Sequence, residues 1–128
     1  MIQRVGVLDD SSEFQNLAAM MFSYLGITNL QQWHSSVEAL PQLQATPPDL
    51  LLLDIMMAGL SGLDIWAELR ATKATKNLPI IVCTAAINRI IDDEQRLSDS
   101  HTIILPKPFT LDQLRDALDQ LTPGWQPQ

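Results

Sequence analysis

The sequence contains a single cysteine, Cys83, among 128 residues. One thiol cannot form an internal disulfide and cannot supply a cysteine-rich zinc site. The fold must therefore be stabilised by the packing of apolar side chains, and we interpret Cys83 as a core residue.

Long apolar segments are also missing. The longest apolar runs have the length of a strand and fall well short of the roughly 20 residues that a helix needs to cross a bilayer. The N-terminus lacks the basic segment and the apolar stretch of a signal peptide. These absences predict no membrane span and a cytoplasmic location.

Positive charge is scarce. The chain has 8 Lys and Arg residues against 15 Asp and Glu residues, which gives a net charge of −7. Nonspecific binding to nucleic acid or anionic lipid depends on Lys and Arg side chains that displace counterions. We therefore expect no direct nucleic-acid binding by this segment, and we expect a protein partner or a cation instead.

What the sequence does contain is an alternation of two kinds of segment. Short apolar runs rich in branched residues predict strands that are buried on both faces. These runs are Val5 to Leu8, Leu50 to Leu53, Ile80 to Cys83 and Ile103 to Leu105, with Asn29 to Trp33 as a weaker candidate. The segments between them carry apolar residues at helical spacing. They are Phe14 to Leu25, Val37 to Gln44, Ser61 to Leu69, Ile87 to Leu97 and Leu111 to Leu121.

Two of these helices have a predicted start. Ser12 with Gln15, and Thr110 with Gln113, have the form of a capping box, in which two side chains bind the first backbone N–H groups of a helix. Pro41 removes a hydrogen-bond donor inside the second helix or forces a late start of that helix.

The order of strand and helix, repeated five times, predicts an α/β doubly wound fold with a parallel sheet and helices on both faces. We assign residues 1–122 to one domain and residues 123–128, rich in Pro and Gln, to a tail or the start of a linker. In folds of this class, ligands bind beyond the carboxyl ends of the strands. Functional residues should therefore follow the strands.

Polar residues do follow the predicted strands. They are Asp9 and Asp10 after the first strand, Asp54 at the end of the third, Thr84 at the end of the fourth and Lys107 after the fifth. At about 4 Å and an effective dielectric near 20, two carboxylates repel by roughly 4 kcal/mol, so such a cluster requires a cation or raised pKa values. Oxygen ligands favour magnesium, with manganese as the alternative.

A carboxylate beside a divalent metal can attack a phosphoryl donor. We assign Asp54 as the nucleophile and Asp10 as a direct metal ligand, with Asp9 as a ligand that binds directly or through water. Thr84 would donate a hydroxyl hydrogen bond, and Lys107 would bind the transferring group by its charge.

Each residue taken alone has a plainer interpretation. An Asp-Asp pair is typical of a loop that leads into a helix N-terminus, where negative charge is favoured. Asp54 fits a turn after a strand, Thr84 fits a β-branched strand residue, and Lys107 fits a solvated charge. Their shared position at the strand ends favours the functional interpretation.

With these residues in view, the sequence resembles the CheY-like receiver domains of two-component signalling over nearly all of residues 1–122. The matching segments are Val7-Leu8-Asp9-Asp10-Ser11, Leu52-Leu53-Asp54-Ile55-Met56-Met57 with Gly59 and Gly62, Thr84-Ala85, and Lys107-Pro108-Phe109. The resemblance implies a five-stranded, flavodoxin-like sheet in the order 2-1-3-4-5. It also implies magnesium ligation by the backbone carbonyl of Met56, beside the three aspartates, and a cis Lys107-Pro108 peptide bond.

The resemblance further implies that Asp54 accepts a phosphoryl group from a histidine kinase or a histidine phosphotransfer protein. Phosphorylation would shift the surface formed by the fourth predicted helix, the fifth strand and the last helix, and a phosphorylation-dependent homodimer through that surface is left open. The chain would then catalyse only its own phosphorylation and dephosphorylation, and would not be an enzyme that acts on an external substrate.

Three features depart from the family pattern. Ala58 stands where many members have proline, and Ile104 stands where an aromatic residue commonly rotates in step with the hydroxyl. Met56 and Ala86 occupy positions where other members often carry polar groups that orient hydrolytic water. The last departure predicts slow loss of phosphate.

Two other functions compete with this interpretation. The missing aromatic residue at Ile104 favours, as an alternative, a receiver-like interaction module that works independently of phosphorylation. A small enzyme, such as a flavin protein or an aspartate-nucleophile phosphatase, is disfavoured because no glycine-rich phosphate loop follows the first strand. The Asp9-Asp10 pair also lacks the second acid that such phosphatases carry two residues after their nucleophile.

Overall fold

The computed structural model describes residues 2–57, 61–85, 97 and 99–125. Its elements are β1 (Val5–Leu8), α1 (Ser12–Tyr24), β2 (Leu30–Trp33), α2 (Ser36–Ala45), β3 (Leu50–Asp54), α3 (Gly62–Ala71), β4 (Ile80–Thr84), β5 (Thr102–Pro106) and α4 (Leu111–Leu121). The helix predicted over Ile87 to Leu97 lies outside the described residues, apart from Leu97. None of the helices in the described part of the chain has the length and apolar character that a membrane span requires.

The five strands form one parallel sheet in the order β2-β1-β3-β4-β5, as predicted. Helices cover both of its faces. One core cluster joins α1 and α4 to alternate strand residues such as Leu50 and Leu52. The other joins α2 and α3 to the intervening residues, Leu51 and Leu53. Both faces of each central strand are therefore buried, which explains the uninterrupted apolar runs.

Cys83 belongs to the first of these clusters and is fully buried. Burial raises the pKa of its thiol, because the thiolate is poorly solvated in an apolar environment. The interpretation of Cys83 as a core residue is confirmed.

The helix starts differ in part from the prediction. Ser11, not Ser12, is the N-cap residue of α1. The predicted Ser12–Gln15 capping box is wrong because Gln15 is buried and its amide donates to three backbone carbonyls at the ends of β1 and β2. The capping box of Thr110 and Gln113 is confirmed.

The second helix continues through Pro41. The missing N–H of this residue removes one intrahelical hydrogen bond. The chain nevertheless remains helical from Ser36 to Ala45, because Ala39 and Leu43 pack into the core on the buried side of the helix.

Beyond α4 the chain returns to the core. Trp125 is buried in the cluster that contains α1 and α4. Its indole N–H donates to the Asp119 carboxylate at 2.7 Å, and its backbone N–H donates to the carbonyl of Thr122 at 3.1 Å. Packing against the domain therefore continues to residue 125.

Arg70 connects three segments at the end of the sheet opposite to the predicted site. Its guanidinium donates to the Asp99 carboxylate, the Thr102 hydroxyl and three backbone carbonyls, those of Thr75, Leu78 and His101. The guanidinium carbon also lies 5.7 Å from the centroid of the Trp66 ring. This one side chain therefore holds the end of α3, the loop before β4 and the loop before β5 together.

Replacement of Arg70 by methionine should lower the free energy of unfolding by about 3 kcal/mol, because partly buried acceptors would lose their donors. Arg115→Met is the matched control, since the pair of Arg115 with Asp112 is exposed and should contribute less than about 1 kcal/mol. Urea unfolding measures both losses. Equal losses in the two variants would contradict the connecting role of Arg70.

Candidate functional site

The register of the sheet places the candidate residues side by side. Leu8 of β1 pairs with Leu53 of β3, so Asp9 and Asp54 come next to each other at the strand ends. Across β4 and β5, Thr84 pairs with Pro106, and the N–H of Lys107 donates to the Thr84 carbonyl at 3.0 Å. Four predicted site residues thus meet at one edge of the sheet.

The acidic residues lie within reach of one ion. Asp9, Asp10 and Asp54 each offer a carboxylate oxygen, and these oxygens lie within 4.8 Å of one another. Asp9 and Asp54 are buried and Asp10 is exposed. The Lys107 ammonium lies 2.6 Å from Asp9 Oδ2 and 3.8 Å from Asp54 Oδ2. Among the described residues, the cluster therefore contains three carboxylates and one compensating positive charge, the Lys107 ammonium.

Asp9 is held by its own loop. Its Oδ1 accepts the N–H of Ser11 at 2.8 Å, and its backbone N–H donates to the Trp33 carbonyl at 3.1 Å. The Gln15 amide, which donates to the carbonyls of Asp9 and Trp33, ties the same loop to the ends of β1 and β2. These bonds fix the direction in which the Asp9 carboxylate points.

Sequence reasoning missed the role of Gln15. A signal was present, because Gln15 stands three residues before Ala18 and seven before Phe22, on the stripe of α1 that is buried. A glutamine on a buried stripe must find hydrogen-bond partners. Its Oε1 is buried and finds none among the described residues.

Asp54 is held by the backbone that follows it. Its Oδ1 accepts the N–H of Met56 at 3.1 Å. The N–H of Gly62, the first residue of α3, donates to the Ile55 carbonyl at 3.0 Å. A Cβ atom on Gly62 would lie 2.5 Å from the Cα of Ile55 and closer still to the carbonyl oxygen of Asp54. Only glycine lets α3 begin this close to the end of β3.

The environment of Asp54 raises its pKa from 3.8 to about 6. Burial is the main cause, and the charges of Asp9 and Asp10 add to it. The Lys107 ammonium and the Met56 N–H act in the opposite direction and offset part of the increase. A cation bound among the three carboxylates would reduce the same electrostatic cost of ionising Asp54.

Lys107 and Thr84 complete the group. Thr84 is fully buried at the end of β4. The Lys107 ammonium also lies 3.9 Å from the centroid of the Phe14 ring, a contact that the sequence did not predict. The Lys107-Pro108 peptide bond is cis, as the resemblance implied.

The structure therefore brings together the side chains of Asp9, Asp10, Asp54 and Lys107 and places Thr84 at the end of the neighbouring strand β4, while their chemical roles stay predictions. Met56 lies two residues after the end of β3, and the role of its carbonyl as a metal ligand likewise stays a prediction. Ile104 is partly buried and packs against the cluster that contains α2 and α3. The departures at Ala58 and Ala86, and the family glycine Gly59, lie outside the described residues.

Residues 5–119 match the family model of the response regulator receiver domain. The match covers most of the chain, and the observed sheet order and strand-end cluster agree with it. The chain belongs to the response regulator receiver domain family.

Relatives of known function are similar to this chain over most of its length. Chemotaxis protein CheY-3 of Vibrio cholerae is 29% identical over 92% of this chain and 90% of its own length. Response regulator MprA of Mycobacterium ulcerans is 35% identical over 87% of this chain and 46% of its own length. This chain thus spans about half of that regulator.

Solved structures share the fold. The receiver domain of a Francisella response regulator is 26% identical, with a TM-score of 0.76 over 93% of this chain and 95% of its own. The receiver domain of a sensor histidine kinase from Pseudomonas aeruginosa, solved with a magnesium ion in its active-site cleft, is 22% identical. Its TM-score is 0.78 over 94% of this chain and 98% of its own. The second likeness concerns the fold alone.

In metal-free protein at neutral pH, Asp54→Asn should raise the free energy of unfolding by on the order of 3 kcal/mol, since one pKa unit corresponds to about 1.4 kcal/mol. The folded pKa is above the ordinary value of 3.8, so the stability that protonated Asp54 contributes to the wild type is lost as pH rises from 3.8 to about 6. The gain in the variant should therefore be full above pH 6 and vanish below 3.8. Urea unfolding across this range measures it.

Asp116→Asn, at an exposed position of α4, serves as the control and should change stability little at any pH. A gain for Asp54→Asn that does not vary with pH would contradict the assignment to the buried charge. Loss of stability at neutral pH would contradict it as well.

Proposed function

We propose that this chain is a phospho-accepting receiver domain in which Asp54 takes a phosphoryl group from a histidine kinase or a histidine phosphotransfer protein. The observation that carries the proposal is the position of Asp54, beside Asp9 and Asp10 and 3.8 Å from the Lys107 ammonium. Membership of the receiver family supports the same conclusion.

The proposed reaction is a displacement at phosphorus. An Asp54 carboxylate oxygen forms the new bond to phosphorus, while the bond to the donor nitrogen breaks and its electron pair leaves with the histidine. With a pKa of about 6, Asp54 is largely ionised at neutral pH and available as a nucleophile. The N–H of Met56 holds its Oδ1, which leaves Oδ2 on the side that faces Lys107.

The carboxylates fit a divalent metal. All the side-chain ligand atoms are oxygens, as magnesium and manganese prefer, and they lie close enough to share one ion. Asp9, Asp10 and Asp54 would hold the metal, with the Met56 carbonyl as the further ligand that the family implies. A bound ion would neutralise negative charge between the carboxylates and the incoming phosphoryl group.

Lys107 and Thr84 would bind the phosphoryl oxygens. Lys107 has its charge already at the site, and Thr84 ends the neighbouring strand. Once Asp54 carries the group, these two residues make contacts that the unmodified state lacks, and such differential contacts shift a two-state equilibrium. We infer that the surface of the fourth predicted helix, β5 and α4 reports the shift, with a phosphorylation-dependent homodimer as one possible result.

This proposal includes three further expectations from the sequence. The chain catalyses its own aspartyl phosphorylation and dephosphorylation and acts on no other substrate. It works in the cytoplasm, and it binds proteins in preference to nucleic acid. The alternative is an interaction module that works without phosphorylation, which the aliphatic Ile104 favours.

Intact-mass analysis after incubation with acetyl phosphate tests the proposal. The wild type should gain one phosphoryl group in magnesium and none in its absence, because the carboxylates repel the anionic donor without a cation. Asp54→Asn should gain none in either condition.

Asp116→Asn, which keeps the strand-end cluster intact, is the matched control and should gain the group as the wild type does. An unmodified wild type in magnesium would refute phosphoryl acceptance and favour the phosphorylation-independent module. Equal modification of Asp54→Asn would show that another residue is the acceptor.

A further inference from the structure

Lys107 is enclosed on three sides. Its ammonium lies 2.6 Å from Asp9 Oδ2, 3.8 Å from Asp54 Oδ2 and 3.9 Å from the centroid of the Phe14 ring. The side chain of Lys107 is 16% exposed. A cation over the face of an aromatic ring is attracted by the negative charge of that face, and more strongly where water is excluded.

The Phe14 ring is itself held in place. Its backbone N–H donates to the hydroxyl of Ser11, which fixes Phe14 in the first turn of α1. Its ring makes an edge-to-face contact with buried Phe109, with centroids 5.9 Å apart and planes at 72°. Lys107 and Phe109 stand on either side of Pro108, so both ends of one three-residue segment contact the same ring.

The three groups around the Lys107 ammonium, two carboxylates and one aromatic ring, differ in one chemical respect. The carboxylates of Asp9 and Asp54 are the predicted ligands of a cation, and Asp54 is also the proposed acceptor. Their attraction for Lys107 therefore weakens when a cation binds among them. The face of Phe14 takes no part in cation binding and keeps its attraction throughout.

We propose that Phe14 is a positioning residue for Lys107, whose ring face keeps the ammonium beside Asp54 while the carboxylates are engaged by a cation. The fraction of molecules with Lys107 in place then sets the rate at which Asp54 is phosphorylated. This inference rests on the proposed function of Asp54.

Simple packing is the competing explanation. Phe14 also lines an apolar cavity of about 380 Å³, together with Leu17, Met21 and Phe109. A test must therefore change the electrostatics of the ring and leave its shape nearly constant. Phenylalanines with one, two and three ring fluorines at position 14 do this, because each fluorine weakens the negative charge of the face.

The maximum rate of phosphorylation by acetyl phosphate in magnesium should fall stepwise along this series. The full loss should be about threefold to thirtyfold, the range that corresponds to a cation–π contact at a partly buried site. The same series at Phe22, a fully buried core residue of the same helix, is the matched control and should leave the rate unchanged.

A second measurement does not require phosphorylation. Ring currents of Phe14 should shift the ε-methylene protons of Lys107 upfield in the NMR spectrum, with and without magnesium. In Phe14→Leu, which keeps an apolar side chain, these protons should return to the ordinary lysine position. An ordinary position in the wild type, or its return on addition of magnesium, overturns the inference.

The outcomes separate this inference from the proposed function. A wild type that is phosphorylated at a rate insensitive to fluorination of Phe14 overturns the positioning role and leaves the function standing. A wild type that takes no phosphoryl group overturns the function, and the positioning role falls with it. A graded fall in rate at Phe14 but not at Phe22 supports both.

Discussion

Parallel pairing at the centre of the sheet is the constraint on which the site depends. Leu8 lies beside Leu53, and Thr84 lies beside Pro106, so the carboxyl ends of four strands come level at one edge. A slip of one residue would turn every side chain of a strand to the opposite face. Because both faces are packed, such a slip would put each leucine into the opposite core cluster, where the surrounding side chains do not fit it. The apolar core therefore fixes the positions of the charged residues that follow it.

The same constraint places charge where it is unfavourable. Asp54 ends a strand whose other residues are all buried apolar side chains, and its raised pKa records the result. Lys107 compensates only part of the charge of three carboxylates. Because negative charge remains uncompensated, binding of a cation, a proton or a phosphoryl group changes the electrostatic energy of the cluster. The ionised Asp54 carboxylate therefore lowers the free energy of unfolding, at the residue on which the proposed switch depends.

Short-range sequence patterns predicted the features that depend on neighbouring residues, namely the strands and the polar residues at their ends. Apolar runs located the strands, and the polar residues just after them located Asp54 and its neighbours. Gln15, Arg70 and Phe14 were missed because each has a partner that lies far away in sequence and is brought close by the fold. The capping box at Ser12 failed for the same reason, since burial of Gln15 against the strand ends overrode a local motif. Short-range spacing carries no record of such contacts.

We propose that burial in an acidic cluster prepares the Asp54 carboxylate to bind a cation and to accept a phosphoryl group. The most direct test is a ¹³C NMR titration of the side-chain carboxyl of Asp54 in metal-free protein. We expect a pKa of about 6, and addition of magnesium should lower it because the cation favours the ionised form. A pKa near the ordinary value of 3.8, unchanged by magnesium, would show that Asp54 is neither destabilised by burial nor a ligand of the cation.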